Sequence, residues 1–350
     1  MTKYAKQMDK INEAMSISFN NIGYELKQQG KDIIVLSLGE AFFDIPLLKF
    51  DELPFPDLYH YSHSRGIFDL RKKISQFFED KYDFKFSPEK NIIVTAGSKL
   101  AIHMALMSVL NPGDEVIIYE PYWVSYTEQV KLCYAEPITI PINKSIWDTE
   151  TFITNKTKVI IINNPHNPTG KIYTEEEIKY LLNLAKKHNL FILSDEAYSD
   201  FIPEGTVFNS LGKYDTSLSH SIVCNSLSKN YGISGWRLGY VITNEILLNQ
   251  ILKINQHLIT CPATILELYV DKYFWEIIEI TKPQIQRIVS HRKQVINYMN
   301  NIVLEYLPGT AAWYIFTSIE PSKIESLEFG KKLLYDFNTM IVPGIGYGKS

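Results

Sequence analysis

The chain of 350 residues is poor in everything that would send it out of a reducing, aqueous compartment. It has three cysteines, Cys133, Cys224 and Cys261. Their odd number and wide spacing fit neither a disulfide framework nor a zinc-ligand pattern. They read as free thiols, and no metal site is expected. Basic charge is not in excess either: 35 Lys and Arg stand against 39 Asp and Glu, for a net charge of -4. That leaves no basic footprint for nucleic acid. The opening "MTKYAKQMDK" has no apolar run of the signal-peptide kind. No stretch approaches the ~18 uninterrupted apolar residues of a membrane span. Internal repeats and low-complexity segments are also lacking. A cytoplasmic protein with no membrane or nucleic-acid partner is expected.

What is present is apolar strand and amphipathic helix in alternation. The chain is 45% hydrophobic and carries 22 Tyr, enough for a large, ring-rich core. Strands are expected at 32–40, 91–97, 115–121, 157–165, 190–198, 221–229 and 239–244. Helices are expected at 16–30, 68–82, 98–110 and 174–189, the last with acids in its first turn and bases in its last. This order implies a largely parallel sheet covered on both faces. After about residue 250 the pattern changes, with a long helix expected over 284–301 and a strand over 310–319. A large unit at 46–250 and a smaller α+β unit made of 1–45 with 251–350 are therefore expected.

In parallel sheets ligands sit beyond the carboxyl ends of the strands. The polar clusters fall there: Gly97-Ser98-Lys99, Pro121-Tyr122-Trp123, Asn167, Asp195 with Tyr198, and Ser226 to Lys229. Lys229 stands in "SLSKNYGISGWRLGY" between hydroxyls, glycines and Arg237. A buried lysine whose pKa is drawn down from ~10.4 forms a Schiff base with an aldehyde. Ser226, Ser228 and Arg237 suit a phosphate dianion, since a guanidinium offers paired, charge-assisted hydrogen bonds. Gly97 and Ser98 read either as an anion site at a helix N-terminus or as a plain turn with a serine cap. Asp195 reads as the partner of a protonated ring nitrogen, or as a helix cap or structural ion pair. Its neighbour Glu196 reads as the structural one of the two. Tyr198 and Asn167 can donate to a phenolic oxygen, though Tyr198 also suits core packing and "NNPHNPTG" also suits a proline-rich turn, with Asn167–Pro168 a candidate cis bond. Trp123 can cover a ring face or pack in the core.

With these residues the chain resembles the pyridoxal-phosphate enzymes of fold type I, close to class I/II aminotransferases of the aspartate aminotransferase type. The resemblance is carried in order by "LGE" (38–40), "YSHSRGIFDLR" (61–71), "TAGSKLAI" (95–102), "NPGDEV" (111–116), "EPYWVSY" (120–126), "NNPHNPTG" (163–170), "SDEAY" (194–198), "SLSKNYGISGWRLGY" (226–240) and "VPG" (342–344). It implies an α/β fold whose large domain has a mostly parallel seven-stranded sheet covered by helices. It implies amino transfer between an amino acid and a 2-keto acid through an aldimine of Lys229 with pyridoxal 5'-phosphate. Within that likeness Asp195 pairs with the pyridine nitrogen, Tyr198 and Asn167 bond the phenolic oxygen, and Trp123 stacks on the ring. Gly97, Ser98, Lys99, Ser226, Ser228 and Arg237 surround the phosphate. Tyr61 is expected to reach the phosphate of a neighbouring subunit in a homodimer with shared sites. Gly39 is expected beside the substrate carboxylate; Lys99, with Ser16, reads either as the holder of a second carboxylate on acidic substrates, as in one similar subgroup, or as an exposed first-turn lysine, since lysine here also occurs in subgroups with other substrates. A β-lyase on the same cofactor and a cofactor-binding regulator are the alternatives.

One element of the pattern is missing. Similar enzymes continue past "VPG" to a strand whose arginine clamps the substrate α-carboxylate. This sequence stops at Ser350, and its last arginine is Arg292. The expectation is a small domain incomplete at its C-terminal end.

Overall fold

The computed structural model describes residues 4–37, 39–46, 48–54 and 56–349. Leu38 of the "LGE" motif and Ser350 lie outside the described residues. The strands are β1 (Ile34–Val35), β2 (Ile92–Thr95), β3 (Glu115–Tyr119), β4 (Glu136–Ile140), β5 (Thr157–Asn163), β6 (Phe191–Asp195), β7 (Ser221–Ser226), β8 (Gly239–Ile242) and β9 (Thr339–Met340). The helices are α1 (Met15–Gln28), α2 (Phe68–Tyr82), α3 (Ser98–Val109), α4 (Tyr126–Leu132), α5 (Glu175–His188), α6 (Leu227–Asn230), α7 (Glu245–Leu258), α8 (Thr264–Lys272), α9 (Phe274–Asn301) and α10 (Ser326–Phe337).

Seven strands form one sheet in the order β2-β8-β7-β6-β5-β3-β4. Only β8 runs against the others, pairing antiparallel with both β2 and β7. β2, β6, β7 and β8 are buried along almost their whole length, as near-continuous apolar runs require when helices cover both faces. One apolar cluster joins α2 and α5 to one face, with Leu70, Phe78, Ile178 and Leu181 packed there. Another joins α3, α4 and α7 to the other, through Ile102, Leu106, Val130 and Leu248. Tyr269, Val270, Phe274 and Ile277, from α8 and the start of α9, also belong to the first cluster. β1 and β9 form a separate parallel pair, beside a cluster of Leu26, Ile33, Leu334 and Met340.

Helix ends follow local chemistry. Thr174 and Glu177 make a capping box at the start of α5, and acids open that helix while bases close it. α2 ends on Asp83 in the left-handed conformation.

Three expectations are corrected. The segment 310–319 is not a strand. Its amides are taken elsewhere: Thr310 and Ala311 donate to Gly170 O (2.9 Å each), and Ala312 donates to Phe201 O (2.7 Å). Ala312 has φ 55°, which breaks an extended run, and only a single bridge joins Tyr306 to Thr317. The apolar stretch 32–40 pairs over two residues only, Ile34 with Thr339 and Val35 with Met340. The run 221–229 is strand only to Ser226, whose side chain accepts from Ser228 N (3.0 Å) and starts α6. Sequence reading also missed β4, the edge strand beside β3.

Candidate active site

β2, β3, β5, β6 and β7 all present their carboxyl ends on one side of the sheet. A cavity of about 210 Å³ opens there, lined by residues from five of these ends and from α1. Ser16, Gly39, Ser98, Lys99, Trp123, Asn167, Asp195, Tyr198 and Lys229 all face it. Gly97, Ser226, Ser228 and Arg237 are not among the lining residues, and Arg237 is exposed. Ser226 and Ser228 are buried at the end of β7. Arg237 packs on Gly97, where a Cβ would fall 2.5 Å from its Nη2; Gly97 itself has φ 87°. Tyr61 does not line the cavity of its own chain and is 84% exposed.

Asp195 closes β6 as its last residue, where the neighbouring strands hold it in register. Asn163 of β5 pairs with it, and Asn163 Nδ2 donates to its carbonyl at 2.8 Å. Tyr126 Oη donates to Asp195 Oδ2 at 2.7 Å, and Ala197 N to Oδ1 at 3.2 Å. Burial raises the carboxyl pKa to about 6, with those two donors and Lys229 opposing the rise. Glu196 turns the other way. It is fully buried and accepts from Ser194, Ser210 and Leu211 N, which is a structural role.

Lys229 sits on α6 with its Nζ donating to Gly39 O. Burial lowers its pKa to about 8. Glu40 and Asp195 oppose that shift, while Arg237 and Lys99 add to it. A free amine is thus accessible near neutral pH. Lys99 is shifted down in the same direction, by burial and then Arg237, with its Nζ 5.1 Å from the centre of the Trp123 ring.

Asn167 is fixed by Asn163, whose Oδ1 accepts from Asn167 N at 2.6 Å. The Asn164–Pro165 and Asn167–Pro168 bonds are both cis. Asn167 Nδ2 lies 3.5 Å from Tyr198 Oη, and Asn167 Oδ1 is buried with no hydrogen-bond partner. Burial drives the Tyr198 pKa upward, so the hydroxyl keeps its proton as a donor.

Three residues of the site carried no assignment from sequence. Tyr126 was inside "EPYWVSY", but nothing local shows that its hydroxyl crosses to Asp195. Tyr314 lines the cavity and meets Tyr198 Oη at 2.6 Å. Tyr347 also lines it. Arg292 is not in the cavity. It is buried, and it donates to three carbonyls, Gly309 (2.7 Å), Tyr314 (3.0 Å) and Thr169 (3.3 Å).

The donor set fits pyridoxal phosphate. Asp195 is a buried carboxylate without an ion-pair partner among the described residues, Asn167 has an orphaned polar atom, and the Gly97–Arg237 contact leaves no room for a Cβ. Lys229, its pKa lowered to about 8 chiefly by burial, lines the same cavity as that carboxylate.

Comparison with known proteins agrees. The profile of the family described as "Aminotransferase class I and II" matches residues 31–349. The (5-formylfuran-3-yl)methyl phosphate transaminase of Methanocaldococcus jannaschii is 33% identical over 332 residues, 93% of this chain and 86% of that protein. The aspartate aminotransferase of Pyrococcus abyssi is 30% identical over 334 residues, 91% and 85% of the two chains. The solved structure of the Thermus thermophilus aspartate aminotransferase with maleate superposes with a TM-score of 0.91 at 25% identity, covering 99% of this chain and 93% of that one. Among the described residues no helix is long and apolar enough to cross a membrane, and no cluster of side chains suits a metal ion.

Proposed function

The chain belongs to the class I and II aminotransferases and is a pyridoxal-phosphate-dependent transferase of amino groups, and from that premise we propose how its own residues do the work. One observation carries the proposal. Half-buried Lys229 and buried Asp195 line one cavity, and desolvation moves the lysine down to about 8 and the carboxyl up to about 6.

Pyridoxal phosphate, when bound, supplies an aldehyde that takes up the amino group and a ring that withdraws electrons from the amino acid's Cα. Lys229 Nζ would be the group that attaches to it, and the same nitrogen would then move a proton between the substrate's Cα and the carbon that was the aldehyde, which lies outside the ring. A pKa near 8 suits both tasks, since a base works best when its pKa lies near the working pH. Asp195 would pair with the ring nitrogen and keep it protonated. Tyr198 Oη and Asn167 Nδ2 would donate to the phenolic oxygen, and Trp123 would cover a face of the ring. Arg237, Ser98, Ser226 and Ser228, with the amides of Ser98 and Lys99 at the start of α3, would hold the phosphate.

The substrates are an amino acid and a 2-keto acid. Lys99 and Ser16 in the cavity wall support a donor with a second carboxylate, and Gly39 supports a place beside the first. The exposure of Tyr61 supports a homodimer in which it reaches the partner's site. Three free cysteines support a cytoplasmic location. The division into 46–250 and 1–45 with 251–350 is likewise proposed; the separate β1–β9 pair with its own apolar cluster supports it, while α8 and the start of α9 pack with the large sheet. A β-lyase or a regulator is not favoured, since the relatives above are all transaminases.

Absorbance spectra test the proposal. The visible band of the cofactor-loaded protein should fade with glutamate or aspartate and return with a 2-keto acid. Faster fading with aromatic donors would remove the role given to Lys99. A band that no 2-keto acid restores would contradict the amino-transfer cycle.

A further inference from the structure

We propose that Tyr314 is a further site residue whose hydroxyl donates to Tyr198 and makes Tyr198 a stronger donor to the cofactor's phenolic oxygen, with Arg292 as the residue that positions it. The proposal rests on the reading of Tyr198 given above.

The two hydroxyl oxygens are 2.6 Å apart, and the rings meet edge to face with centroids 5.4 Å apart and planes at 87°. Tyr198 has one proton. If it gives that proton to the cofactor, the hydrogen bond between the hydroxyls must use the proton of Tyr314. Hydrogen bonds in such a chain strengthen one another where water is excluded. Asn167 Nδ2, at 3.5 Å, donates to the same hydroxyl at the outer limit of hydrogen bonding and does so more weakly.

The backbone around Tyr314 is built to hold it. Thr310 and Ala311 are tied to Gly170, and Ala312 to Phe201. Arg292 then locks the segment to the "HNPTG" turn through the carbonyls of Tyr314, Gly309 and Thr169. It has no carboxylate partner among the described residues, so its charge-assisted bonds are all spent on backbone. Across the cavity, a Cβ on Gly39 would strike the Tyr314 hydroxyl, so glycine there leaves room for it. Tyr314 keeps its proton because burial and the neighbouring Tyr198 both push its pKa upward.

A stronger donor at the phenolic oxygen stabilises its negative charge. That oxygen then holds the proton on the Lys229 nitrogen less firmly, and the nitrogen titrates at lower pH. Among the described residues, the other charged or titratable groups facing this region are Asp195, Tyr126, Tyr347, Lys99, Arg237 and Glu40, and Tyr314→Phe replaces none of them.

The test is the pH midpoint of the visible absorbance of the loaded protein, read in the wild type, Tyr314→Phe, Tyr198→Phe and the double variant. Tyr314→Phe should raise the midpoint by roughly half a unit, about a threefold gain in proton affinity. In the Tyr198→Phe background the same change should do nothing, because the chain is already cut. 3-Fluorotyrosine at position 314, a stronger donor of nearly the same shape, should lower the midpoint and carries the test if the Phe variant does not fold. An unchanged midpoint in Tyr314→Phe, or an equal shift with Tyr198 absent, overturns the proposal. If Tyr198→Phe alone leaves the midpoint unmoved while Lys229 still holds the cofactor, the fault lies in the role of Tyr198, and the proposal falls with it.

Discussion

Replacing Tyr126 by Phe isolates one hydrogen bond at the centre of the site. The ring packs edge to face on Trp123 and is fully buried, so Phe keeps the packing and removes only the hydroxyl. That hydroxyl donates to Asp195 Oδ2 at 2.7 Å and is the largest influence holding the carboxyl pKa down against burial. A hydrogen bond to a charged group contributes ~1.5–3 kcal/mol, and one pKa unit corresponds to ~1.36 kcal/mol. Its loss should therefore raise Asp195 by about one to two units, from about 6 toward roughly 7–8. The sign matters: a higher pKa makes the carboxyl neutral at neutral pH, where it cannot hold a ring nitrogen protonated. At pH 7 the ionised fraction falls from about nine-tenths to between about a half and a tenth. Cofactor affinity should then weaken about two- to tenfold at pH 7, with the gap closing by about pH 9, where both proteins are ionised. A fluorescence titration with pyridoxal phosphate across pH 6–9 measures this. Equal affinities at every pH, or a deficit independent of pH, would refute the role given to the hydroxyl.

Other perturbations follow from single contacts. Gly97→Ala places a Cβ 2.5 Å from Arg237 Nη2 at a residue with φ 87°, and should weaken cofactor binding at least tenfold by calorimetry while leaving the core folded. Arg292→Leu strands three carbonyls in the interior and should cost about 3–5 kcal/mol in chemical denaturation, whereas a loss under ~1 kcal/mol would show that water replaces the guanidinium. Glu267 is buried, and burial raises its pKa from 4.5 to about 7 against the donors Ser62 and Ile67 N. The folded state thus binds its proton more tightly than the unfolded chain, and this contribution is fully present below about pH 4.5 and lost as pH rises through 7. Glu267→Gln should flatten the fall in stability between pH 5 and 8 by up to roughly 3 kcal/mol, and an unchanged pH slope would contradict the shift.

Much of the site was legible because its residues punctuate strands. Ser98, Asp195, Ser226 and Lys229 each stand where an apolar run stops, and the parallel sheet brings those stops together. Long-range partnerships were not legible. Nothing near Tyr126 in sequence reveals that its hydroxyl spans to β6, 69 positions away. The segment 310–319 reads as a strand in sequence, yet its amides bond to Gly170 and Phe201, so a tertiary contact overrode the local preference and brought Tyr314 into the cavity. Arg292 was noticed only as the last arginine of the chain, and its three carbonyl partners are set by packing that no motif encodes.

The account stands on Lys229 as the residue that carries the cofactor. Borohydride reduction of the loaded protein, followed by digestion and peptide mass spectrometry, locates the attachment. The predicted result is one pyridoxyl-modified peptide, with the added mass on Lys229 and absent from Lys229→Ala. A modification on Lys99 or a surface lysine, or one that persists at the same level in Lys229→Ala, would contradict it.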